Sequence, residues 1–352
     1  MINLPLLSAP PPGPPRFLYL QTNQRCNLRC QHCDFWKLND DNKAYYLSSR
    51  RKRELLTEYA SLSPGATVVT CGGEPMLDLE EFFELARECR RLGLRCFSVV
   101  NGTKVNHQRI ADRMVREGPH EITVSLNSHL EEIHDRTRGV KGSFRMAVRA
   151  LRLLLRARSE QSEQPPKIYA MAVICEQTYR ELDAFYDFVL NDIGADKLKL
   201  NILQPTFGGT GPDAFFADNV VKNPDELGAI IERCDSKYRL GINPRWLAQV
   251  KMYFRSAARV RDPLQGWATS DGTEEHICNT YERNIMVDLF GTARLCFSLE
   301  FPGFRLEKAG DLRRFWYQLS NPIRATMETC NRHCGISHSV RRENATLKAL
   351  TL

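Results

Sequence analysis

Apolar positions in the first two hundred residues follow two periods in turn. Short runs dense in β-branched and aromatic residues, at 17–22, 67–71, 95–100, 121–126, 167–175 and 197–203, predict six strands. Between them, residues 48–62, 78–92, 108–117, 143–158 and 178–192 space their apolar positions as amphipathic helices do. A strand-helix unit repeated in this way implies a parallel sheet with right-handed crossovers. Curved, that sheet becomes an α/β partial (β/α)6 TIM-like barrel with its active site at the C-terminal strand ends.

The pattern changes after residue 204. The 205–219 segment, with Gly208-Gly209-Thr210-Gly211-Pro212, is long enough for a domain boundary or an active-site lid. Two helical stretches follow, then a hairpin pattern at 284–289 and 292–297 around Gly291, then short helices. The expected organisation is a proline-rich arm over 1–15, a barrel over 16–220, a helical linker region over 221–276, a small α+β domain over 277–336 and a tail over 337–352. The polar stretch 159–166 reads as a surface loop within the barrel.

Composition narrows the class. Of 352 residues, 42% are hydrophobic and 26% charged, as in an ordinary globular protein. No apolar run reaches the length of a membrane span, and the proline-broken N-terminus lacks the basic start of a secretory signal, so a cytoplasmic protein is expected. The net charge of +7 is spread over helices with acidic neighbours, as in Arg50-Arg51-Lys52-Arg53-Glu54, which favours solvated helix faces over a nucleic-acid surface. An anionic substrate is compatible with it. Twelve cysteines in a long chain of this kind point to metal or catalysis before disulfides.

Their clustering carries the chemistry. Cys26, Cys30 and Cys33, spaced Cys-x3-Cys-x2-Cys, begin just after the first predicted strand. Three soft thiolates on one tight loop can hold three irons of a cubane 4Fe–4S cluster and leave the fourth iron open. A zinc site is the alternative, but structural zinc takes four ligands and no second pair lies near in sequence. At the second strand end stands Gly72-Gly73-Glu74-Pro75, with two glycines that let backbone approach a ligand, a carboxylate, and a proline opening the next turn.

Together these motifs resemble those of the radical S-adenosylmethionine (radical SAM) superfamily. The resemblance implies that the open iron is chelated by the amino and carboxylate groups of SAM, that the Gly72, Gly73, Glu74 turn binds the SAM amino group, and that His32 lies near the adenine. Val99-Val100-Asn101-Gly102-Thr103 resembles a further strand end of the family. Ser125-Leu126-Asn127-Ser128 resembles the segment whose serine contacts the SAM ribose, here Ser125, although Asn127 and Ser128 replace the family's Asp and Gly. The stretch His134 to Gly139 matches that in which an arginine pairs with the SAM carboxylate, Arg138 before Arg136.

Four further cysteines lie in the last third. Cys278 and Cys296 frame a Cys-x12-Gly-x4-Cys pattern through Gly291, and Cys330 and Cys334 supply a second pair. They could complete a closed tetrathiolate shell, with a zinc ribbon as the competing reading. The spacing resembles the twitch domain, a shortened relative of the SPASM domain, and so implies one auxiliary 4Fe–4S cluster. His333 reads as a neighbouring surface histidine. Cys71, Cys89, Cys96, Cys175 and Cys234 read as small core residues.

The resemblance implies reductive cleavage of SAM to a 5′-deoxyadenosyl radical and hydrogen abstraction from a small-molecule substrate, with a flavodoxin- or ferredoxin-type reductant. An auxiliary cluster ligated only by protein suits an electron acceptor. The first expectation is therefore an oxidoreductase that oxidises an alcohol in a small, polar, hydroxylated metabolite of the sugar, aminocyclitol or nucleoside-sugar type. Redox-neutral epimerisation, dehydration or decarboxylation is the alternative. Peptide modification is a third, set lower because the chain starts almost directly with the barrel. His129, Glu131, Asn201, Gln204 and Arg283 are polar candidates for substrate contact, none of them singled out as a base. An iron-sulfur carrier, a zinc-stabilised binding protein and a tRNA-modifying enzyme are the readings from other classes.

Overall fold

The computed structural model describes residues 12–38, 43–160, 165–206, 213–257, 280–297 and 301–327. Among them, nine strands form one sheet in the order β6-β5-β4-β3-β2-β1-β7-β8-β9. The first six are β1 (Phe17–Asn23), β2 (Thr67–Gly72), β3 (Arg95–Val100), β4 (Glu121–Ser125), β5 (Lys167–Ile174) and β6 (Lys197–Ile202). They pair in parallel, each with its sequence neighbour, and each lies within one residue of its expected span.

The crossover helices are α1 (Ser49–Leu62), α2 (Leu79–Arg91), α3 (Gln108–Glu117), α4 (Glu131–Arg138), α5 (Ser143–Ser159) and α6 (Leu182–Asp187). The single helix expected over 178–192 divides into a tight turn at Tyr179–Glu181, α6, and a wider π-helical turn at Phe188–Ile193 that ends on Gly194 with φ +82°. Beyond β6 come α7 (Ala214–Asn219), α8 (Pro224–Tyr238) and α9 (Pro244–Ala257). Asn223 caps α8 through the Glu226 N–H at 3.1 Å, and Pro224 fills its first turn.

The hairpin near the C-terminal end continues the barrel sheet. β7 (Asn284–Val287) pairs in parallel with β1, from Phe17 opposite Asn284 to Leu20 opposite Val287. β8 (Thr292–Arg294) and β9 (Phe304–Arg305) then extend it antiparallel. One apolar core joins Leu18 and Leu20 of β1 to Ile285, Val287, Leu295, Phe315 and Trp316. A larger core packs Ile122, Val124, Ile168 and Ala170 beneath Ala111, Met114, Ala147 and Leu151 of α3 and α5.

Burial alternates along β1, β3 and β5. The helix-facing side chains are closed to solvent, whereas Gln21, Cys71, Val99, Ser125, Met171 and Asn201 on the opposite face remain half-buried. A strand buried on both faces would show no such alternation. The inner wall therefore borders open space, lined by hydroxyl, amide, thiol and thioether groups. Below them the Lys199 ammonium pairs with the Glu121 carboxylate and lies 4.6 Å from the centre of the Tyr169 ring.

Candidate functional site

The loops that leave β1, β2, β3 and β4 meet at the C-terminal end of the barrel. After β1, burial alternates residue by residue. Arg25, Asn27, Arg29 and Gln31 are exposed, while Leu28 and Cys30 are buried and Cys26 half-buried between them. The thiols thus turn inward, and Cys33, half-buried, follows a turn in which its N–H donates to the Cys30 carbonyl at 3.3 Å. Trp36 closes the loop by donating its Nε1–H to the same carbonyl at 3.3 Å.

Two neighbouring segments hold the loop by its backbone. On one side the Gly73 N–H donates to Asn23 O at 2.9 Å and the Glu74 N–H to Arg25 O at 2.7 Å. On the other, the end of α4 accepts the Arg29 N–H on Arg138 O and the Gln31 N–H on Thr137 O, each at 3.1 Å. The glycines are required by these close approaches. A Cβ on Gly73 would stand 2.0 Å from Arg25 O, and one on Gly139 2.0 Å from Arg29 O. The approach expected between Gly72-Gly73 and a ligand is here first an approach to the cysteine loop.

Glu74 is buried and its carboxylate is spent on backbone. Oε1 accepts from the Met76 N–H at 3.0 Å and Oε2 from the Asn101 N–H at 2.7 Å. Burial pushes its pKa up to about 7, against the pull of those two bonds and of Arg138. Asn101 passes the link onward. Its Nδ2 donates to Asn27 Oδ1 at 2.8 Å, its Oδ1 accepts from Thr103 N and Oγ1, and Asn27 Nδ2 donates to Thr103 Oγ1 at 2.8 Å. The cysteine loop, the end of β2 and the end of β3 are one hydrogen-bonded unit.

The segment after β4 positions Arg138. Asn127 donates its N–H to His134 Nδ1 at 3.1 Å and its Nδ2 to Thr137 Oγ1 at 3.0 Å, while Ser128 Oγ accepts from the Leu130 N–H at 3.0 Å. The two departures from the family pattern therefore tie α4 to β4. Burial, helped by Arg138, pushes His134 down to about 3, which keeps Nδ1 an acceptor. Asp135 accepts from Gly142 N, Ser143 Oγ and Phe144 N and so fixes the start of α5. Arg138 is 8% exposed, and its Nε is buried without a hydrogen-bond partner.

That orphan donor is the structure's test of fit for an anionic group. A buried guanidinium N–H with no acceptor costs about 1–3 kcal/mol or more, and a ligand carboxylate would satisfy it. The charge of Arg138 also acts on Cys26, Cys33 and His32. Asn23 Oδ1 is a second orphan, at a break in the β1–β2 register, with its Nδ2 fixed on Glu74 O at 2.9 Å. Burial raises the Cys26 thiol and pushes Cys33 up to about 12, so both thiols stay protonated until a metal competes for them. No three His, Cys, Asp or Glu side chains among the described residues converge on a single-ion site. A cubane does not ask for one, because each thiolate meets a separate iron.

Other expected residues fall as follows. His32, half-buried and pushed down to about 3 by burial and Arg138, has its ring 6.4 Å from Phe215 of α7, which faces the loop from beyond β6. Ser125 is half-buried on the inner wall at the end of β4. Asn201 donates to Met171 Sδ at 3.1 Å, Gln204 is half-buried beyond β6, Glu131 pairs with Arg145 on the surface, and Arg283 lies over the Phe17 ring. His129 packs near Phe185 and Phe188. Cys89, Cys96, Cys175 and Cys234 are core residues, whereas Cys71 lines the inner wall. Cys296 is buried beside β8, and Cys278, Cys330, Cys334 and His333 lie outside the described residues. Sequence reasoning missed Asn23 and Asn27 and gave Thr103, His134 and Thr137 only within motifs, with no role of their own, and its only signal for Asn27 was a place between two cysteines.

Comparison with known proteins bears on the same region. Residues 20–189 match the family model described as the Radical SAM superfamily. An AdoMet-dependent heme synthase of Oleidesulfovibrio alaskensis is 30% identical over 145 residues, 40% of this chain and 36% of its own length. An Fe-coproporphyrin III synthase of Methanosarcina barkeri is 29% identical over 166 residues, 47% of this chain and 39% of its own. The matches thus span well under half the length of these relatives. Among solved structures, anSMEcpe with bound AdoMet superposes with a TM-score of 0.52 at 16% identity, over 81% of this chain and 73% of that one, a likeness of fold.

Proposed function

We propose that this chain is a radical SAM enzyme in which Cys26, Cys30 and Cys33 hold the SAM-binding 4Fe–4S cluster. The observation that carries the reading is Arg138, whose buried, unpartnered Nε lies at the helix end that two backbone hydrogen bonds fasten to the cysteine loop. The match of residues 20–189 to the superfamily supports it. When bound, the cluster and SAM supply one-electron cleavage to methionine and a 5′-deoxyadenosyl radical that takes hydrogen from carbon.

The chain's own residues bind and orient. Arg138 pairs with the SAM carboxylate, and the Gly72-Gly73-Glu74 turn with Asn23 offers acceptors to the ammonium. His32 lies beside the adenine and Ser125 reaches the ribose. Glu74 and Asn101 act on these contacts through the loop they fix. Cys278, Cys296, Cys330 and Cys334 hold an auxiliary 4Fe–4S cluster that accepts an electron.

For the substrate, the half-buried inner wall of Gln21, Ser125, Met171 and Asn201 supports a small, polar, hydroxylated molecule, with oxidation of an alcohol as the first reaction and a redox-neutral outcome as its alternative. The names of the two curated relatives favour a second reading, a porphyrin-type substrate. Deuterated candidates of both kinds decide between them. Deuterium appearing in 5′-deoxyadenosine from one class and not the other identifies the substrate class, and transfer from neither refutes both readings.

A further inference from the structure

Toward the N-terminal ends of the strands the inner wall changes character. Strand alternation puts Phe17, Phe97 and Tyr169 on the same face as Gln21, Val99 and Met171, and each of these rings has a cation against it. Arg283 lies 5.7 Å from the centre of the Phe17 ring, Arg95 4.9 Å from that of Phe97 and Lys199 4.6 Å from that of Tyr169. The register gathers them at one end of the sheet. Phe17 pairs with Thr67 and Thr67 with Arg95, while Phe97 pairs with Glu121 and Glu121 with Lys167, which is exposed. The nearby carboxylates among the described residues are Glu121, which pairs with Lys199, Asp196, which pairs with Arg158, and Glu282, which acts on Arg283 from the next position along the chain. Neither Arg95 nor Arg283 is ion-paired among the described residues. Two donors are also left over. Arg283 Nε and Asn284 Nδ2 are buried without a hydrogen-bond partner, and Asn284, 4% exposed, stands in register with Phe17 and so on its face.

We propose that this end of the inner wall is an anion-binding subsite, in which Arg283, Asn284 and Arg95 receive an oxyanion of the substrate, a carboxylate or a phosphate. The proposal rests on the substrate-binding role given above to the inner wall. Buried donors without acceptors favour a ligand that brings acceptors, and a guanidinium held against a ring offers its N–H groups as a fixed fork to such a group. Phe17 and Arg95 stand two strand spacings apart, about 10 Å, a gap that the arginine side chains at its two edges can close. Four residues separate Phe17 from Gln21 and Glu121 from Ser125, so the oxyanion sits about 13 Å from the end of the wall that faces the cysteine loop. The substrate is therefore elongated, with its reacting carbon at one end and its anionic group at the other. The subsite binds and orients it, and no bond is made or broken there.

The test is equilibrium binding of two probes to the reconstituted full chain, UDP-glucose for a phosphate source and coproporphyrin III for a carboxylate source. Wild type, Arg95→Gln, Arg283→Gln and Arg283→Lys are compared, with iron content and melting temperature confirming that each is loaded and folded. One probe should bind the wild type, and its Kd should rise about tenfold in each Gln variant, the loss of one charge-assisted contact. Arg283→Lys, which keeps the charge, should recover part of the loss, and added salt should weaken wild-type binding more than that of the Gln variants. The probe that binds identifies the oxyanion as phosphate or carboxylate. Binding of neither probe, or binding that both Gln variants leave unchanged, overturns the subsite. Cleavage of SAM by dithionite, measured on the same samples, separates the two claims. A loaded wild type that cleaves SAM and binds neither probe loses the subsite alone, whereas one that leaves SAM intact refutes the radical SAM reading whatever the probes do.

Discussion

The carboxylate of Glu74 accepts the backbone N–H of Asn101 at 2.7 Å, joining the end of β2 to the end of β3 beneath the cysteine loop. With its other oxygen on Met76 N and its own N–H on Arg25 O, Glu74 is bonded to three chain segments. Replacing it by Gln puts an amide donor against one of the two backbone donors. Glu74→Gln should lose about 1–3 kcal/mol of stability and release its cluster faster, read by chemical denaturation and by iron retention after desalting.

Gly73 and Gly142 separate steric need from backbone strain, while Gly139, with φ +68°, combines the two. A Cβ at Gly73 or Gly139 would strike a loop carbonyl at 2.0 Å, whereas Gly142, with φ +83°, has open space around it. Gly73→Ala and Gly139→Ala should abolish cluster loading. Gly142→Ala should keep it and cost about 1 kcal/mol of strain. Iron and sulfide analysis after anaerobic reconstitution checks this, and equal loading of all three variants would contradict the packing described.

Arg138 should set affinity for SAM without setting cluster content. Arg138→Gln removes the charge and is expected to weaken SAM binding about tenfold or more, the loss of one charge-assisted hydrogen bond. Equilibrium dialysis against the reconstituted protein measures it. Unchanged binding would remove Arg138 from the site.

His134 supplies a pH dependence whose sign follows from its environment. Its pKa is pushed below the unfolded value of 6.5 to about 3, so between those values the unfolded chain binds the extra proton. Stability held above pH 6.5 is then lost as pH falls toward 3. The metal-free protein should lose more stability between pH 7 and pH 5 than His134→Asn, whose side-chain carbonyl can still accept from Asn127. Parallel melting curves across that range would contradict a buried neutral imidazole.

The six barrel strands were legible because each alternates or concentrates apolar residues between clear breakers, as 95–100 does. The Cys26, Cys30, Cys33 loop and the Gly72-Gly73-Glu74 turn were legible as motifs. Their mutual contact was not, because a hydrogen bond from Glu74 N to Arg25 O leaves no mark on residue type. The parallel pairing of Asn284–Val287 with Phe17–Asn23 was hidden for a related reason, since a parallel partner far along the chain follows no local period. The helix expected over 178–192 changed its turn geometry because helical periodicity does not separate 3-10, α and π turns.

Release of 5′-deoxyadenosine from SAM under strict anaerobiosis is the most direct measurement. The reconstituted wild type with dithionite should produce it, and Cys30→Ala should not. A wild-type protein with its cluster loaded that leaves SAM intact, or a Cys30→Ala variant that cleaves it equally well, would contradict the assignment of the cysteine loop.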